Sequence, residues 1–312
     1  MLRLFCLFTL FFVASAQAEV RVLTSIKPLQ LIAAAVQDGI GEPEVLLPPG
    51  ASPHHYALRP SDVRRVRDAD LLYWIGPDME AFLPRVLGSR EKPQVAVQDL
   101  PGMTLRHFGE SHEEDDHDDH DHEHAHAGDD LGHDHDHRPG SLDAHLWLAA
   151  DNAKVIAARM AADLAKLDTA NAGRYAANLK AFEARLDVLD GRIRPQLAAL
   201  QGKPYFVFHE AFDYFEAAYG LKHAGVFSVL TEVQPGARHV AAMRERLQQA
   251  GPSCVFSEPP LRPRLAETLT AGLPVKLAEL DALGGALPVD ASGYEQLLEN
   301  LAGGLSECLN SL

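Results

Sequence analysis

Cysteine is scarce. The 312-residue chain has three, Cys6, Cys254 and Cys308, and no two of them share a CxxC spacing, which argues against a thiolate metal site. A helical HExxH is missing as well: the sole match, "HEHAH" at 122–126, sits in an acidic His-rich run without a helical pattern, so nothing places two zinc ligands and a general base on one helix face. Positive charge is the third shortage. Lys and Arg total 28 against 44 Asp and Glu, a formal net charge of −16, and no basic patch suited to nucleic acid stands out. The acid excess is not spread evenly. Between Glu110 and Asp136 there are thirteen acidic residues and no Lys or Arg, and without that segment the chain is close to neutral.

The apolar block from Leu4 to Ala14 is too short to hold a chain in a bilayer. With Arg3 before it and Ala16-Gln17-Ala18 after it, it has the form of a secretory signal. Residues 1–18 are therefore expected to be removed, giving an exported, soluble chain that starts at Glu19. Cys6 lies away from the cleavage junction, so there is no sign of a lipid-anchored terminus. Cys254 and Cys308 then remain as an even pair in an oxidising compartment, where pairs most often form disulfides. Two buried free thiols are the plainer alternative. Closing a loop of about fifty residues would stabilise by about 4 kcal/mol on the chain-entropy model.

The rest of the chain is long enough for two domains, each with its own core. Short apolar runs alternate with helical patterns: "EVRVLTSI", "PEVLLP", "DLLYWIG" and "QVAVQ" in the first half, "KPYFVFH", "LKHAGVF", "SCVFSEP" and "PVKLAEL" in the second. Runs of this kind predict α/β lobes with mainly parallel sheets flanked by helices. The expected division is an N-terminal lobe at 19–167, a connecting helix at 168–197 and a C-terminal lobe at 198–312. In the connector, Tyr175, Leu179, Phe182, Leu186, Leu189 and Ile193 recur at alternating spacings of four and three, one apolar stripe along a helix. Asp168-Thr169 offers its N-cap and Pro195 a stop or kink near its end. Such a helix is a stiff joint, unlike a Gly/Ser-rich linker.

Within the first lobe, residues 109–140 form an acidic loop with histidines at His112, His117, His120, His122, His124, His126, His133, His135 and His137. Its irregular spacing and its few apolar residues, Leu131 and two Ala, fit a segment disordered without metal that chelates loosely, as an accessory metal site. Of the histidines outside this stretch, three are placed to act together. His54, with His55 beside it, sits in the Gly/Pro-rich "LLPPGASPHHYALRPSD", after a strand, with Ser61 or Asp62 able to cap the next helix. His145 leaves the acidic loop in "SLDAHLWLAAD", held by Leu146 and Trp147. His209 directly follows the strand in "KPYFVFHEAFDYF". Ligands of open α/β sheets bind outside the carboxyl ends of the strands, and two of these segments aim His at such an end, one from each lobe. His223 and His239 lack that position and read as structural residues. Three imidazoles suit Zn²⁺, a borderline ion that favours nitrogen donors and four-coordinate geometry. Asp281 in "LAELDALGG" is a candidate fourth ligand; a turn or helix-cap residue, with water as the fourth ligand, is the alternative.

Taken in order, "GASPHHYALRPSD", "WIGPDMEAF", "DAHLWL", "FVFHEAFDYF", "SEPPLRP" and "LDALGG" resemble the periplasmic zinc-binding components of high-affinity zinc ABC importers, in the metal-binding cluster of solute-binding proteins. The resemblance covers essentially the whole chain after the signal. It implies two lobes joined by one long rigid helix, with a metal held in the interlobe cleft by His54, His145 and His209, a Cys254–Cys308 disulfide in the second lobe, and an accessory role for the acidic loop. One departure is Pro53, which has no donor where some relatives carry a Glu before the first ligand histidine.

The implied function is capture of zinc in the periplasm and delivery to a membrane permease, by a monomer that is not an enzyme and binds no nucleic acid. A manganese binder of the same cluster would be expected to offer two His and two carboxylates, and His209 stands where one such carboxylate would be. An exported zinc hydrolase would need a general base, for which Glu210 is the adjacent candidate. Because imidazole binds metal in its neutral form, zinc affinity should fall as pH drops through about 6.5.

Overall fold

The computed structural model describes residues 19–109, 140–227, 237–259 and 264–312. The expected signal at 1–18 and the nine loop histidines from His112 to His137 lie outside the described residues.

All eight apolar runs contain strands. The first sheet consists of β1 (Val22–Thr24), β2 (Glu44–Val45), β3 (Leu71–Trp74) and β4 (Gln94–Ala96), in the order β2-β1-β3-β4 and wholly parallel. A two-residue antiparallel pair follows, β5 (Arg106–His107) with β6 (Leu142–Asp143). The second sheet repeats the first arrangement with β7 (Tyr205–Val207), β8 (Gly225–Val226), β9 (Ser253–Ser257) and β10 (Val275–Glu279), ordered β10-β9-β7-β8 and again parallel. Central strands β1, β3, β7 and β9 are buried along their whole length, as expected where both faces are covered. The covering helices are α1 (Lys27–Val36), α2 (Pro60–Asp68), α3 (Pro84–Leu87) and α4 (Ala150–Leu167) in the first half. Then come α5 (Ala172–Ala198), α6 (Asp213–Tyr219), α7 (Ala237–Ala250), α8 (Arg264–Thr270) and α9 (Gly293–Leu309).

The connector is α5, 27 residues or about 40 Å at 1.5 Å per residue. Its stripe is buried at Tyr175, Phe182, Leu186, Leu189 and Ile193, with Leu179 half-buried. The cap lies earlier than the helix proper: the Asp168 side chain accepts the Asn171 N–H over a 3₁₀ turn at Thr169–Asn171, and α5 starts at Ala172. Pro195 sits inside the last turn, where it removes one i→i−4 hydrogen bond, and the helix ends three residues later at Ala198.

The core differs from the expectation of one per lobe. A single buried cluster joins first-lobe residues such as Leu31 and Leu72 to second-lobe residues such as Tyr205, Phe256 and Leu297. Among the described residues, a smaller group around Phe206, Phe227 and Leu247 belongs to the second lobe alone. The reason is α9, which packs on both α1 and α5. Gly293 opens it, and a Cβ there would lie 2.7 Å from Leu31 Cδ2 and 2.8 Å from the Pro288 carbonyl, so the approach to α1 needs a residue without a side chain. Arg185 on α5 pairs with Glu295 and donates to the Ala291 carbonyl, and Arg192 pairs with Glu299. Cys308 on α9 is disulfide-bonded to Cys254 on β9, so the alternative of two free thiols does not hold. The end of the chain is thereby tied to the second sheet.

The carboxyl end of β3 carries a buried acid. Glu80, wholly buried, accepts the N–H groups of Ile75 and Gly76. Gly76 has φ 150°, and a Cβ there would overlap Gln98, so the "WIGPD" turn requires glycine. Burial pushes the Glu80 carboxyl up to about 7, against the pull of those two N–H groups. A carboxyl raised on folding contributes stability that is full below its unfolded value and lost as pH rises through its folded one. The unfolding free energy of this chain, relative to that of E80Q, should therefore drop by about 3 kcal/mol between pH 4 and pH 8. Denaturant titrations of both proteins across that range check it, and a flat difference would contradict it.

Candidate metal centre

Three chain segments meet at the seam between the lobes. The first is the loop from β2 to α2, which carries His54. It is fastened at its far end: Asp62 in the first turn of α2 accepts from the Arg59 N–H and from the Tyr56 hydroxyl, and the Tyr56 ring stands edge-on to Phe82. Of the two possible caps, the structure uses Asp62. His54 is half-buried, whereas His55 is exposed with its ring centre 6.4 Å away, so the adjacent pair does not converge.

The second segment leaves β6. His145 is 2 % exposed, and its Nδ1 and backbone N–H both meet Asp143 Oδ1, at 2.8 and 3.0 Å. The Trp147 ring packs beside it at 5.3 Å, and Trp147 Nε1 donates to the Ala282 carbonyl of the second lobe. The third segment follows β7. His209 is buried, with Nδ1 2.8 Å from Glu258 Oε1, just past β9. A carboxylate on Nδ1 holds the proton there and orients the ring with Nε2 as the lone-pair nitrogen, an arrangement that raises the basicity of a metal-binding imidazole.

One nitrogen from each of His54, His145 and His209 lies within 4.8 Å of the other two, and the ring centres are 4.8–5.3 Å apart. Zn–N bonds of about 2.0–2.1 Å in tetrahedral geometry place nitrogens roughly 3.4 Å apart, so small side-chain movements close the set on an ion. Burial pushes the Asp143 carboxyl well above its usual range; the His145 N–H opposes this and the Asp213 and Glu210 charges add to it. A divalent cation on the far side of the His145 ring favours the ionised form.

Asp281 stands apart from the three imidazoles at that spacing. It follows β10, its Oδ1 accepts from the N–H groups of Leu283 and Gly284, and its Oδ2 from that of Gly285. The carboxylate closes its own turn, the alternative noted from the sequence.

Two parts of the arrangement were not singled out from the sequence: the carboxylates Asp143 and Glu258, and a second cluster of Glu210, Asp213 and His223 with ligand atoms within 4.8 Å of one another. Asp143 lies two residues before His145 and Glu258 at the end of the "SCVFSEP" run, so strand-end position was the available signal. His223 was read as structural from its place ahead of β8. Folding turns it onto Glu216 of α6, with Nδ1 2.9 Å from Oε2.

Comparison with known proteins agrees with this architecture. Residues 22–308 match the family described as "Zinc-uptake complex component A periplasmic", ZnuA. The chain is 42 % identical over 294 residues to the high-affinity zinc uptake system protein ZnuA of Yersinia pestis, covering 94 % of this chain and 92 % of that one. It is 38 % identical over 306 residues to the protein of the same name from Brucella suis biovar 1, covering 93 % and 91 %. Among solved structures, the crystal structure of ZnuA superposes with a TM-score of 0.74 at 22 % identity, over 93 % of this chain and 99 % of that one. The SBP FpvC from Pseudomonas aeruginosa in complex with Mn²⁺ gives 0.73 at 20 %, over 94 % and 99 %. At such identities the superpositions attest the fold; the sequence matches, which span nearly the whole chain, place it in the ZnuA family of periplasmic zinc-uptake components.

Proposed function

We propose that this protein is a periplasmic carrier, captures Zn²⁺ at the lobe seam through His54, His145 and His209, and hands it as cargo to the membrane permease of an ABC importer, acting as a monomer. The observation that carries the reading is the meeting of three imidazole nitrogens from both lobes within 4.8 Å. Two of them have carboxylates on Nδ1. Three neutral nitrogen donors favour zinc over harder ions such as Mn²⁺. Water takes the fourth position, because the Asp281 oxygens already accept three backbone N–H groups. The family's role is solute binding for transport, and the carrier reading needs no chemical step.

The test is a titration with a competing chelator on the full chain and on a variant lacking residues 110–139. Both should hold one tight zinc equivalent, and the shortened chain should lose the weaker ones. A strain lacking its own zinc carrier should regain growth in zinc-poor medium with either protein and its cognate permease. Loss of the tight equivalent on shortening would overturn the assignment of the centre.

A further inference from the structure

The two buried imidazoles come from opposite lobes, yet both segments lean on one helix. α6 begins at Asp213, four residues after His209, and the turn between them is closed by the Ala211 N–H on the His209 carbonyl. The same helix packs against the 3₁₀ turn at Leu146–Leu148, which follows His145 directly. A second-lobe element thus supports the exit from a first-lobe histidine.

Tyr214 of α6 supports the approach to His145. It is 2 % exposed, and its hydroxyl accepts the Arg106 N–H at 2.9 Å and donates to the Asp143 carbonyl at 2.7 Å. Arg106 and Asp143 are partners across the β5–β6 pair, so one hydroxyl from the second lobe bridges both strands of a first-lobe ribbon. Phenylalanine would fill the same apolar space; only the phenol both donates and accepts there. Leaving a buried N–H and a buried carbonyl without these bonds is unfavourable, which holds the rung against α6. Asp143 passes the position on: its Oδ1 receives the His145 backbone N–H at 3.0 Å and meets Nδ1 of the ring at 2.8 Å. The line of contacts from helix to imidazole therefore runs through one hydroxyl and one aspartate.

We propose that Tyr214 is a positioning residue of the metal centre: its hydroxyl locks the strand end that carries His145 to the helix that follows His209, so the two buried imidazoles hold their spacing across the seam before the ion arrives. Donors already in place lose less freedom on binding than donors that must be gathered. The inference rests on the reading of His145 and His209 as ligands, and adds what sets their separation.

The test compares Y214F with Y175F in the full chain. Tyr175 is similarly buried and gives its hydroxyl to Asp168 at the start of the connector, so Y175F loses a like hydrogen bond that serves no ligand. Competition with a chelator should show the tight zinc equivalent weakened about tenfold in Y214F, the low end of what partners of metal ligands contribute, and unchanged in Y175F. Co²⁺ is the second probe, because its visible absorption follows the geometry of its donors. Y214F should shift the band of the tightly bound ion, and Y175F should leave it in place. Zinc affinity and cobalt band both unaltered in Y214F, or both changed equally in the two variants, would overturn the proposal. H145A separates this result from failure of the carrier reading. If H145A abolishes tight binding while Y214F changes nothing, the role of Tyr214 alone falls; if H145A leaves tight binding intact, the carrier reading falls and takes this inference with it.

Discussion

Replacing His54, His145 and His209 together by alanine should abolish tight zinc binding in the chain lacking residues 110–139. Each single replacement should weaken binding by at least about 100-fold, since changing even a hydrogen-bonding partner of a metal ligand typically costs 10–100-fold. D143N and E258Q should fall within that smaller range, because they leave the donor nitrogens in place and alter only what steers them. D281N should shift affinity by less than about tenfold, as an amide oxygen still accepts from the Asp281 turn. Competition against a chromophoric chelator measures all of these. A thermal scan gives a second reading, because zinc at a thousand times its dissociation constant stabilises the native state by about 4 kcal/mol. The triple variant should lose that increment while melting normally without metal. If one tight equivalent survives in it, the centre lies elsewhere.

Trp147→Ala should destabilise by about 3–5 kcal/mol, the range for deleting a fully buried large aromatic side chain. Trp147 has no exposed surface, it packs beside His145, its Nε1 reaches the Ala282 carbonyl, and its own carbonyl accepts the Tyr294 hydroxyl of α9. One residue therefore fills the core, packs against the candidate ligand His145 and links the lobes. W147F separates these roles. It keeps most of the volume but loses the indole donor, leaving the Ala282 carbonyl short of a partner, a cost of about 1–3 kcal/mol. Chemical denaturation of the metal-free proteins gives the stabilities. Zinc titration should show the alanine variant weaker by more than its phenylalanine counterpart. Equal affinities in both would mean that the ring does not position His145.

The alternation of apolar runs was enough to place all eight strands of the two parallel sheets: the four central strands, buried on both faces, must be apolar nearly throughout, and the edge strands, though partly exposed, fall at the same spacing between helices. The long helix was legible for a similar reason, its stripe recurring at the helical period. That His54, His145 and His209 would come together was legible in part from strand ends, which two of them occupy, and in full only from the resemblance. What the sequence did not disclose depends on how distant segments come together. Nothing in "SGYEQLLENLAGGL" says that α9 lies across both lobes, because an amphipathic stripe shows that a face is buried and not against what. Glu258 reaches His209 across 49 positions, and Asp281 became a turn closure through backbone geometry that side-chain chemistry alone does not reveal. His223 was set aside because position relative to a strand end was the criterion. Its partners come from a helix that starts ten residues earlier.

The apolar packing that runs uninterrupted beneath the seam restricts how cargo leaves. Jaws joined at the root cannot gape without tearing that packing, so unloading has to proceed bond by bond at the rim. In the proposed centre the half-buried His54, carried on a connecting loop, is the donor with room to swing away, and His145 and His209, each buried and gripped by an acid, are the last to let go.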